Sequence, residues 1–409
     1  MWNRLVEACA NALSLRRIRV HALLIAIVLW SVFIWNYATP GLLDRNGLLK
    51  GTDFLHFYTI GTLAREGHPD RLYKLRAQEK LATERVPEAK GLVYAPFYGP
   101  QVALLFAPFA ALPYGKALAA WLLINALIYA CCCWLVWREC PNLQQNPGTV
   151  MVIALAFPAF FHLLVWGQTS GLALACFTLM FLCLRRKNNF AAGLAFGLLF
   201  FKPQLGVAGA VIFLLAGEWR ILAGATVTAV AQLAVVWADF GAPVLRDYFR
   251  HFYDVPDMLP LLEPKLYQLH SLRGFWELSG LPPRIAETCL GISLVIVLAL
   301  AYRAWQRSRS LEIRFASLLV ATVLVAPHLT IYDLMILAPA FLLLANWTLD
   351  HRFPSMVICL YLCFVLQLIG PLARWTHVQL TVVAMTALLY LLEKHGVIRD
   401  GVAALRTRS

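Results

Sequence analysis

The segment KGTDFLHFYTIGTLAREGHPDRLY, residues 50–73, follows a long apolar run and begins with polar side chains that could do chemistry. Asp53 and His56 are three residues apart, a spacing that places both on one face of a helix. In one interpretation Thr52 is the N-cap, and the carboxylate in the first turn only interacts favourably with the helix dipole. In the other, Asp53 is a general base held at a membrane surface.

Further polar side chains interrupt apolar runs where the chain must turn. Lys202 in LLFFKPQLG is costly beside hydrocarbon, so it either snorkels to the interface or binds an anion such as a lipid phosphate. Gln168 in WGQTSG is a weaker candidate of the same kind. PHLTIYD contains His328, Tyr332 and Asp333, which either bind a phosphate or sugar hydroxyls or satisfy one another in a local hydrogen-bond network.

The stretch 240–285 is long for a simple connection, which favours a lid or an acceptor-binding segment. Its basic and imidazole side chains are Arg246, Arg250, Lys265, His270 and Arg273. Asp254 and Asp257 lie in the same stretch, but their spacing is not that of a strong metal motif. We therefore expect no metal site, and no motif for a nucleotide or other cofactor is present.

Composition places these residues in a membrane protein. Of 409 residues, 60% are hydrophobic and 14% are charged, whereas soluble proteins have about 25% charged residues. The net charge of +13 comes from short basic clusters between apolar runs, which report topology rather than nucleic-acid binding. The ten cysteines show no metal spacing and are expected to be small apolar side chains.

The basic clusters predict an all-α integral membrane protein with about twelve transmembrane helices. Thirteen apolar segments are present, but the proline-rich segment 97–112 does not cross if every basic cluster is to lie inside. Residues 1–409 then form one membrane domain with both termini cytoplasmic. The two large outer loops are 40–115, with interfacial helices, and 240–285. Because the unexplained polar residues fall in outer turns, we expect a site that faces outward.

The order of these features resembles glycosyltransferase family 87, whose members use polyprenyl-phosphate mannose. The stretches that carry the resemblance are GTDFLHFYTIGTLAREGHPDRLY, YAPFYGPQVALLFAPFAALP, VWGQTSGLALACFTL, AAGLAFGLLFFKPQLG and VAPHLTIYDLMILAP. The resemblance implies the C-type architecture of membrane glycosyltransferases, a bacterial inner-membrane location and a sugar donor on a lipid monophosphate, with mannose as the sugar. The acceptor would be a glycolipid or another glycan.

The resemblance also implies roles for the polar residues. Asp53 would take the proton of the acceptor hydroxyl in one inverting displacement, and Lys202 would stabilise the departing lipid phosphate. The other residues expected to bind donor or substrate are His328, Tyr332, Asp333, His56, Gln168, Tyr94 and Arg273. Two alternatives remain open at this point, a transporter or flippase of a lipid-linked sugar and a glycan polymerase or ligase with a lipid-diphosphate donor.

Overall fold

A computed structural model describes residues 6–7, 9–10, 12–251, 253, 258, 265–351 and 353–406, with the side chains of 395–406 excluded. Within these ranges the chain is helical, and its β-structure consists of two isolated bridges, Leu43 with Leu49 and Leu269 with Thr330. The α-helices are α1 Leu15–Tyr37, α2 Phe54–Arg65, α3 Leu75–Arg85, α4 Pro100–Phe106, α5 Tyr114–Trp137, α6 Pro141–Gln144, α7 Pro147–Leu155, α8 Pro158–Trp166, α9 Ser170–Arg185, α10 Asn189–Gly197, α11 Val207–Ala216, α12 Trp219–His251, α13 Leu272–Leu278, α14 Pro283–Arg307, α15 Leu311–Val325, α16 Ala338–His351, α17 Pro354–Val365, α18 Ala373–Thr376 and α19 Leu380–Arg406.

Short 3₁₀ turns connect several of these helices. Many of the α-helices and 3₁₀ turns begin at a proline. Proline at the first position costs no hydrogen bond, because that N–H has no partner within the helix. The 3₁₀ segments are Pro69–Arg71, Pro87–Ala89, Phe109–Ala111, Leu198–Phe201, Pro203–Leu205, Leu266–Gln268, Ile331–Leu337 and Leu366–Leu372.

Six helical segments in the described part of the chain are long and apolar enough to cross a membrane. They are Leu15–Tyr37, Tyr114–Trp137, Trp219–His251, Pro283–Arg307, Ile331–His351 and Pro354–Thr376. α7 and α8 meet at a bend of 46° and together form a seventh candidate. The expected membrane protein is therefore confirmed in its coarse form, whereas the count of twelve spans stays a prediction because several other apolar helices are shorter.

The helix in the segment 97–112 is much too short to cross a bilayer. α4 has seven residues, which extend over about 10 Å, against a hydrocarbon core of about 30 Å. Three prolines bound it, since Pro100 begins α4 and Pro108 and Pro113 follow its end. This segment packs against α2 and carries aromatic side chains towards it, among them Phe106 against Phe57.

Burial separates the centre of the molecule from its apolar rim. α15 is buried at every position from Phe315 to Leu324, as expected for a helix that is apolar all round. α1 is the opposite case, because only 11% of its most apolar 18-residue stretch is buried inside the protein. Its exposed side chains include Val28, Ile34 and Trp35, a composition suited to contact with lipid.

The stretch 240–285 is partly helical where the structure describes it. α12 is broken at Gly241, whose φ of 79° lies in the left-handed region, and helical structure resumes up to His251. Val244, Tyr248 and His251 are buried along one face of this second part. The rings of Tyr248 and His251 pack against Tyr73 of the first loop, at 5.9 and 5.7 Å between centroids. The two predicted outer loops are therefore in contact.

Candidate active site

Asp53 lies immediately before α2, and its side chain does not cap that helix. The Thr52 hydroxyl is not a cap either, because it donates to the carbonyl of Leu49 over 2.9 Å. The backbone N–H of Asp53 instead donates to the carbonyl of Trp166 at the end of α8, at 3.0 Å. The prediction of Thr52 as the N-cap is therefore wrong, and the half-buried carboxylate of Asp53 is directed at another part of the chain.

The partner of that carboxylate is Gln168. Its Nε2 lies 2.8 Å from Oδ2 of Asp53 and 3.2 Å from the hydroxyl of Tyr332. Its Oε1 accepts from the hydroxyl of Tyr98 at 3.2 Å and from the backbone N–H of Thr169 at 3.1 Å. The buried amide thus uses both of its ends, which fixes its orientation and joins three separate segments around Asp53.

Burial raises the pKa of Asp53 to about 6. Hydrogen bonds from Gln168 and Tyr332 and the positive charges of Lys202 and His328 oppose this effect without cancelling it. The carboxylate is therefore ionised at neutral pH and accepts a proton much more readily than an exposed aspartate would. A pKa near the working pH is the property expected of a general base.

The loop that presents Gln168 depends on Gly167. This residue ends α8 with φ of 69°, a left-handed conformation, and a Cβ here would lie 2.8 Å from Cβ of Phe54. Two side chains of α5 hold the adjacent carbonyls, because Trp121 Nε1 donates to Gly167 over 2.9 Å and Asn125 Nδ2 donates to Gln168 over 3.2 Å. Only glycine allows the end of α8 to pack this closely on the start of α2.

Lys202 is buried and forms an ion pair with Asp333. The lysine is 3% exposed and the aspartate is fully buried, and their side chains are in direct hydrogen-bond contact. Ser170 Oγ donates to the same carboxylate oxygen, and Lys202 Nζ lies 5.5 Å from the ring centroid of Tyr332. The snorkelling interpretation of Lys202 is therefore wrong, since the ammonium group is directed into the protein towards a counter-ion.

Asp333 and Tyr332 reach this cluster because Thr330 begins the 3₁₀ segment with a capping box. The backbone N–H of Thr330 donates to Oδ2 of Asp333 over 3.4 Å, which leaves Oδ1 for Lys202. Half-buried His328 lies just upstream, near enough to Asp53 for its charge to lower the pKa of that carboxyl group. The structure therefore brings Tyr332 and His328 close to Asp53 and pairs Asp333 with Lys202.

Tyr94 and His56 flank the cluster on the side of the first loop. The hydroxyl of Tyr94 donates to the carbonyl of Thr52 over 2.6 Å, which holds the residue next to Asp53. His56 is 5% exposed and packs against the rings of Tyr94 and Tyr98, at 5.9 and 5.7 Å between centroids. Both residues are thus neighbours of the candidate base, Tyr94 through the carbonyl of Thr52 and His56 from the first turn of α2.

Arg273 lies at the start of α13 and contacts the chain just before His328. Its Nε donates to the carbonyl of Pro327 over 2.7 Å, and its guanidinium group pairs with Glu277 at 2.9 Å. These contacts hold the chain just before His328. Arg273 therefore supports the position of the PHLTIYD stretch from α13, and its role as a ligand of the donor or substrate stays a prediction.

Two members of the cluster were not predicted from the sequence. Ser170 is two residues after Gln168 in WGQTSG, and Tyr98 lies in the proline-rich YAPFYGP. Hydroxyl side chains at the end of an apolar run next to a glutamine were a usable signal for Ser170. Tyr98 gave no such signal, because an aromatic residue in an interfacial segment is expected for membrane contact alone.

No group of three or more His, Cys, Asp or Glu side chains suited to a metal occurs among the residues that the structure describes. Asp254 and Asp257, whose spacing is not that of a strong metal motif, lie outside the described residues. Among the residues that the structure describes, the site therefore contains one candidate base, one buried lysine with its counter-ion, the imidazole of His328 and several neutral hydrogen-bonding groups.

Comparison with known proteins gives a family. No curated protein and no solved structure matches the chain. The model of glycosyltransferase family 87 matches residues 97–327, which is more than half of the chain. The matched range contains Gln168, Ser170 and Lys202, whereas Asp53 precedes it and Asp333 follows it. The chain belongs to glycosyltransferase family 87 and is a membrane glycosyltransferase.

Proposed function

We propose that the protein transfers a sugar from a polyprenyl-phosphate donor to an acceptor on the outer face of the membrane, with Asp53 as the general base. The observation that carries this proposal is the cluster in which Gln168 holds the carboxylate of Asp53 close to the buried Lys202–Asp333 pair. A carboxylate with a raised pKa beside a cation is the pair of groups that glycosyl transfer from a phosphate needs. Membership of family 87 supplies the reaction class.

The proposed reaction is a single displacement at the anomeric carbon. The acceptor hydroxyl oxygen forms a bond to that carbon, and its proton moves to the carboxylate of Asp53. The bond from the anomeric carbon to the phosphate oxygen breaks, and its electron pair leaves with the lipid phosphate. Because the attack and departure occur on opposite faces, the anomeric configuration inverts. The products are the glycosylated acceptor and the polyprenyl phosphate.

Lys202 is the group proposed to stabilise the departing phosphate. Before the donor binds, Asp333 neutralises the lysine, which removes the cost of an isolated buried charge. The phosphate of the sugar donor and the carboxylate of Asp333 are both negatively charged and repel each other. The N–H groups of Lys202 must therefore be divided between Asp333 and that phosphate. Ser170 donates to the same oxygen of Asp333 as Lys202, and the backbone N–H of Thr330 donates to the other oxygen, so the carboxylate stays fixed while the lysine interacts with phosphate.

We propose the C-type architecture and a bacterial inner membrane for this reaction, with about twelve spans and both termini cytoplasmic. The support is the distribution of basic clusters along the sequence and the shortness of α4, which leaves residues 40–113 on one side. With this orientation the Asp53 cluster faces outward. Mannose is the proposed sugar and a glycolipid or glycan the proposed acceptor, both from the family resemblance.

The direct experiment is a transfer assay with the purified protein in nanodiscs. Radiolabelled polyprenyl-phosphate mannose and a membrane lipid extract are supplied, with EDTA present in one arm. We expect label in a new glycolipid and in equal amounts with and without EDTA. Label that stays in the donor would contradict the proposed donor, and the same assay with polyprenyl-diphosphate sugars would then test the polymerase or ligase alternative.

The transporter alternative makes a different prediction in sealed vesicles. A flippase would exchange the lipid-linked sugar between leaflets without forming a glycosylated product, whereas the proposed enzyme forms product on one face only. Membership of a glycosyltransferase family argues against the flippase. Exchange of intact donor between leaflets by the wild-type protein, with no product, would reverse that assignment.

A further inference from the structure

Two narrow crevices meet at the side chain of His56. One lies between α2 and the proline-rich segment, where Tyr73, Pro96 and Tyr98 form its walls. The other lies between α2 and α3, where Gln78, Glu79 and Tyr94 form its walls. Each has a volume of about 10 Å³, which is the space that one water or one hydroxyl group occupies.

Among the described buried polar side chains that line these crevices, His56 is the one that lacks hydrogen bonds. Within the described part of the chain, neither ring nitrogen has a hydrogen-bond partner, although the residue is 5% exposed. The other buried polar groups there are satisfied, since Gln78 donates to the carbonyl of Leu72 and Thr59 to that of Leu55. A buried polar group without a partner costs free energy, so the site favours any ligand that supplies one.

We propose that His56 binds a hydroxyl group of the acceptor, and that the acceptor is an uncharged sugar or polyol where it contacts this residue. This inference rests on the proposed function, because it assigns the acceptor side of the same site. It deepens the account by naming the chemical class that the first-loop crevices recognise.

The chemistry of the imidazole carries this choice of ligand. Burial lowers the pKa of His56 to about 4, so the ring is neutral at physiological pH and offers one donor and one acceptor. A hydroxyl group also donates one hydrogen bond and accepts others, so the two groups are complementary. A phosphate offers only acceptors with negative charge, so it would leave the acceptor nitrogen of the neutral ring without a partner.

The surroundings of His56 fit the same ligand. The rings of Tyr94 and Tyr98 lie against the imidazole and give the crevices aromatic walls, while polar groups are few, as is typical of small-molecule sites. The same two tyrosines connect to the base, because Tyr98 donates to Gln168 and Tyr94 donates to Thr52. A sugar held at His56 therefore lies next to the residue that must take its proton.

The test is direct binding of neutral sugars without any donor. Saturation-transfer-difference NMR is recorded with methyl α-mannoside, methyl α-glucoside and myo-inositol on the purified wild type and on His56→Phe and His56→Gln. His56→Phe keeps an aromatic ring of similar size and removes both nitrogens, whereas His56→Gln keeps one donor and one acceptor. The matched control is His162→Phe, because His162 also has a buried Nδ1 without a partner in the described structure but lies on α8, away from both crevices.

We expect at least one of the three sugars to bind the wild type and the His162→Phe variant equally. Binding should fall at least fivefold in His56→Phe and recover in part in His56→Gln. Equal binding by wild type and His56→Phe, or no binding of any of the three by wild type, would overturn the inference. A sugar signal that depends on His56 in a protein that fails to use polyprenyl-phosphate mannose would contradict the proposed donor and leave the His56 site in place.

Discussion

The side-chain amide of Gln168 lies 2.8 Å from the carboxylate of Asp53, although 115 residues separate them in the chain. The contact exists because the end of α8 packs on the start of α2 at Gly167, where a Cβ would lie only 2.8 Å from Cβ of Phe54. The same side-chain amide also forms hydrogen bonds with Tyr332 and Tyr98. One glutamine therefore connects the candidate base to the PHLTIYD stretch and to the first loop.

The pH dependence of transfer should report the raised pKa of Asp53. A base must be ionised to accept a proton, so kcat/KM should fall about tenfold per pH unit below a pKa of about 6 and level off above it. The hydrogen bond from Gln168 lowers that pKa, so Gln168→Leu should raise it and move the acid limb towards neutral pH. The measurement is a pH profile of kcat/KM for both proteins.

Gln144→Leu serves as the control for that profile, because Gln144 is exposed and its amide donates only to backbone carbonyls at the end of α5. Its profile should coincide with that of wild type. An acid limb that stays in place in Gln168→Leu, or moves to lower pH, would show that the amide does not tune the base.

The Lys202–Asp333 pair should be strongly coupled in stability. Lys202→Met leaves a buried carboxylate without its counter-ion and should lower the free energy of unfolding by roughly 3–5 kcal/mol, because the desolvated charge is no longer compensated. The double variant Lys202→Met with Asp333→Leu should regain most of this loss while transfer stays absent. Thermal unfolding in nanodiscs and a double-mutant cycle measure the coupling.

The exposed ion pair of Lys74 and Asp70 is the control for this double-mutant cycle. Its charged atoms lie 3.2 Å apart, and both side chains are more than 60% exposed. Its coupling should be below about 1 kcal/mol, as for surface ion pairs in general. If the Lys202 cycle gave an equally small value, the pair would not be the buried counter-ion arrangement described above.

Gly167→Ala should damage both stability and transfer. The left-handed backbone and the 2.8 Å approach to Phe54 Cβ force either strain or a shift of α2, at a cost of about 1–3 kcal/mol. A shift of α2 moves Asp53 away from Gln168, so kcat should fall more than donor affinity. Unfolding and steady-state kinetics are measured together on the same preparation.

Gly148→Ala is the matched substitution for this test. Gly148 lies in the first turn of α7, and a Cβ there meets nothing within 4 Å. It should be neutral or slightly stabilising, because alanine is the better helix former. A Gly167→Ala variant that behaves like Gly148→Ala would contradict the role of this turn in holding the base.

The sequence identified most of the cluster but not the contacts within it. Asp53, Gln168, Lys202, Tyr332 and Asp333 were singled out because polar groups near hydrocarbon need a reason to be there. That reasoning does not say which groups pair. The pairing of Lys202 with Asp333 depends on the capping box that orients the carboxylate, and such a contact between distant turns is set by helix packing rather than by local pattern.

The fold was predictable to a similar depth. Apolar length predicted a membrane protein, which the structure confirms in coarse form. Proline content predicted that the segment 97–112 does not cross, and the seven residues of α4 are consistent with that prediction. The ends of the spans were harder, because Ile331–His351 begins as a 3₁₀ segment and α7 and α8 bend within one apolar run. Arg273 shows the limit for single residues, since the sequence does not say that its side chain donates to the carbonyl of Pro327 and pairs with Glu277.

The most direct test of the account is the transfer rate of Asp53→Asn, measured beside wild type and Asp44→Asn. Asp44 belongs to the same loop and only accepts hydrogen bonds from the backbone of its own turn, so it controls for a general effect of removing a carboxylate. We predict that Asp53→Asn folds normally and transfers about 10²–10⁴-fold more slowly, the usual contribution of a general base, while Asp44→Asn stays near wild type. Near-normal transfer by Asp53→Asn would contradict the central claim that this carboxylate takes the acceptor's proton.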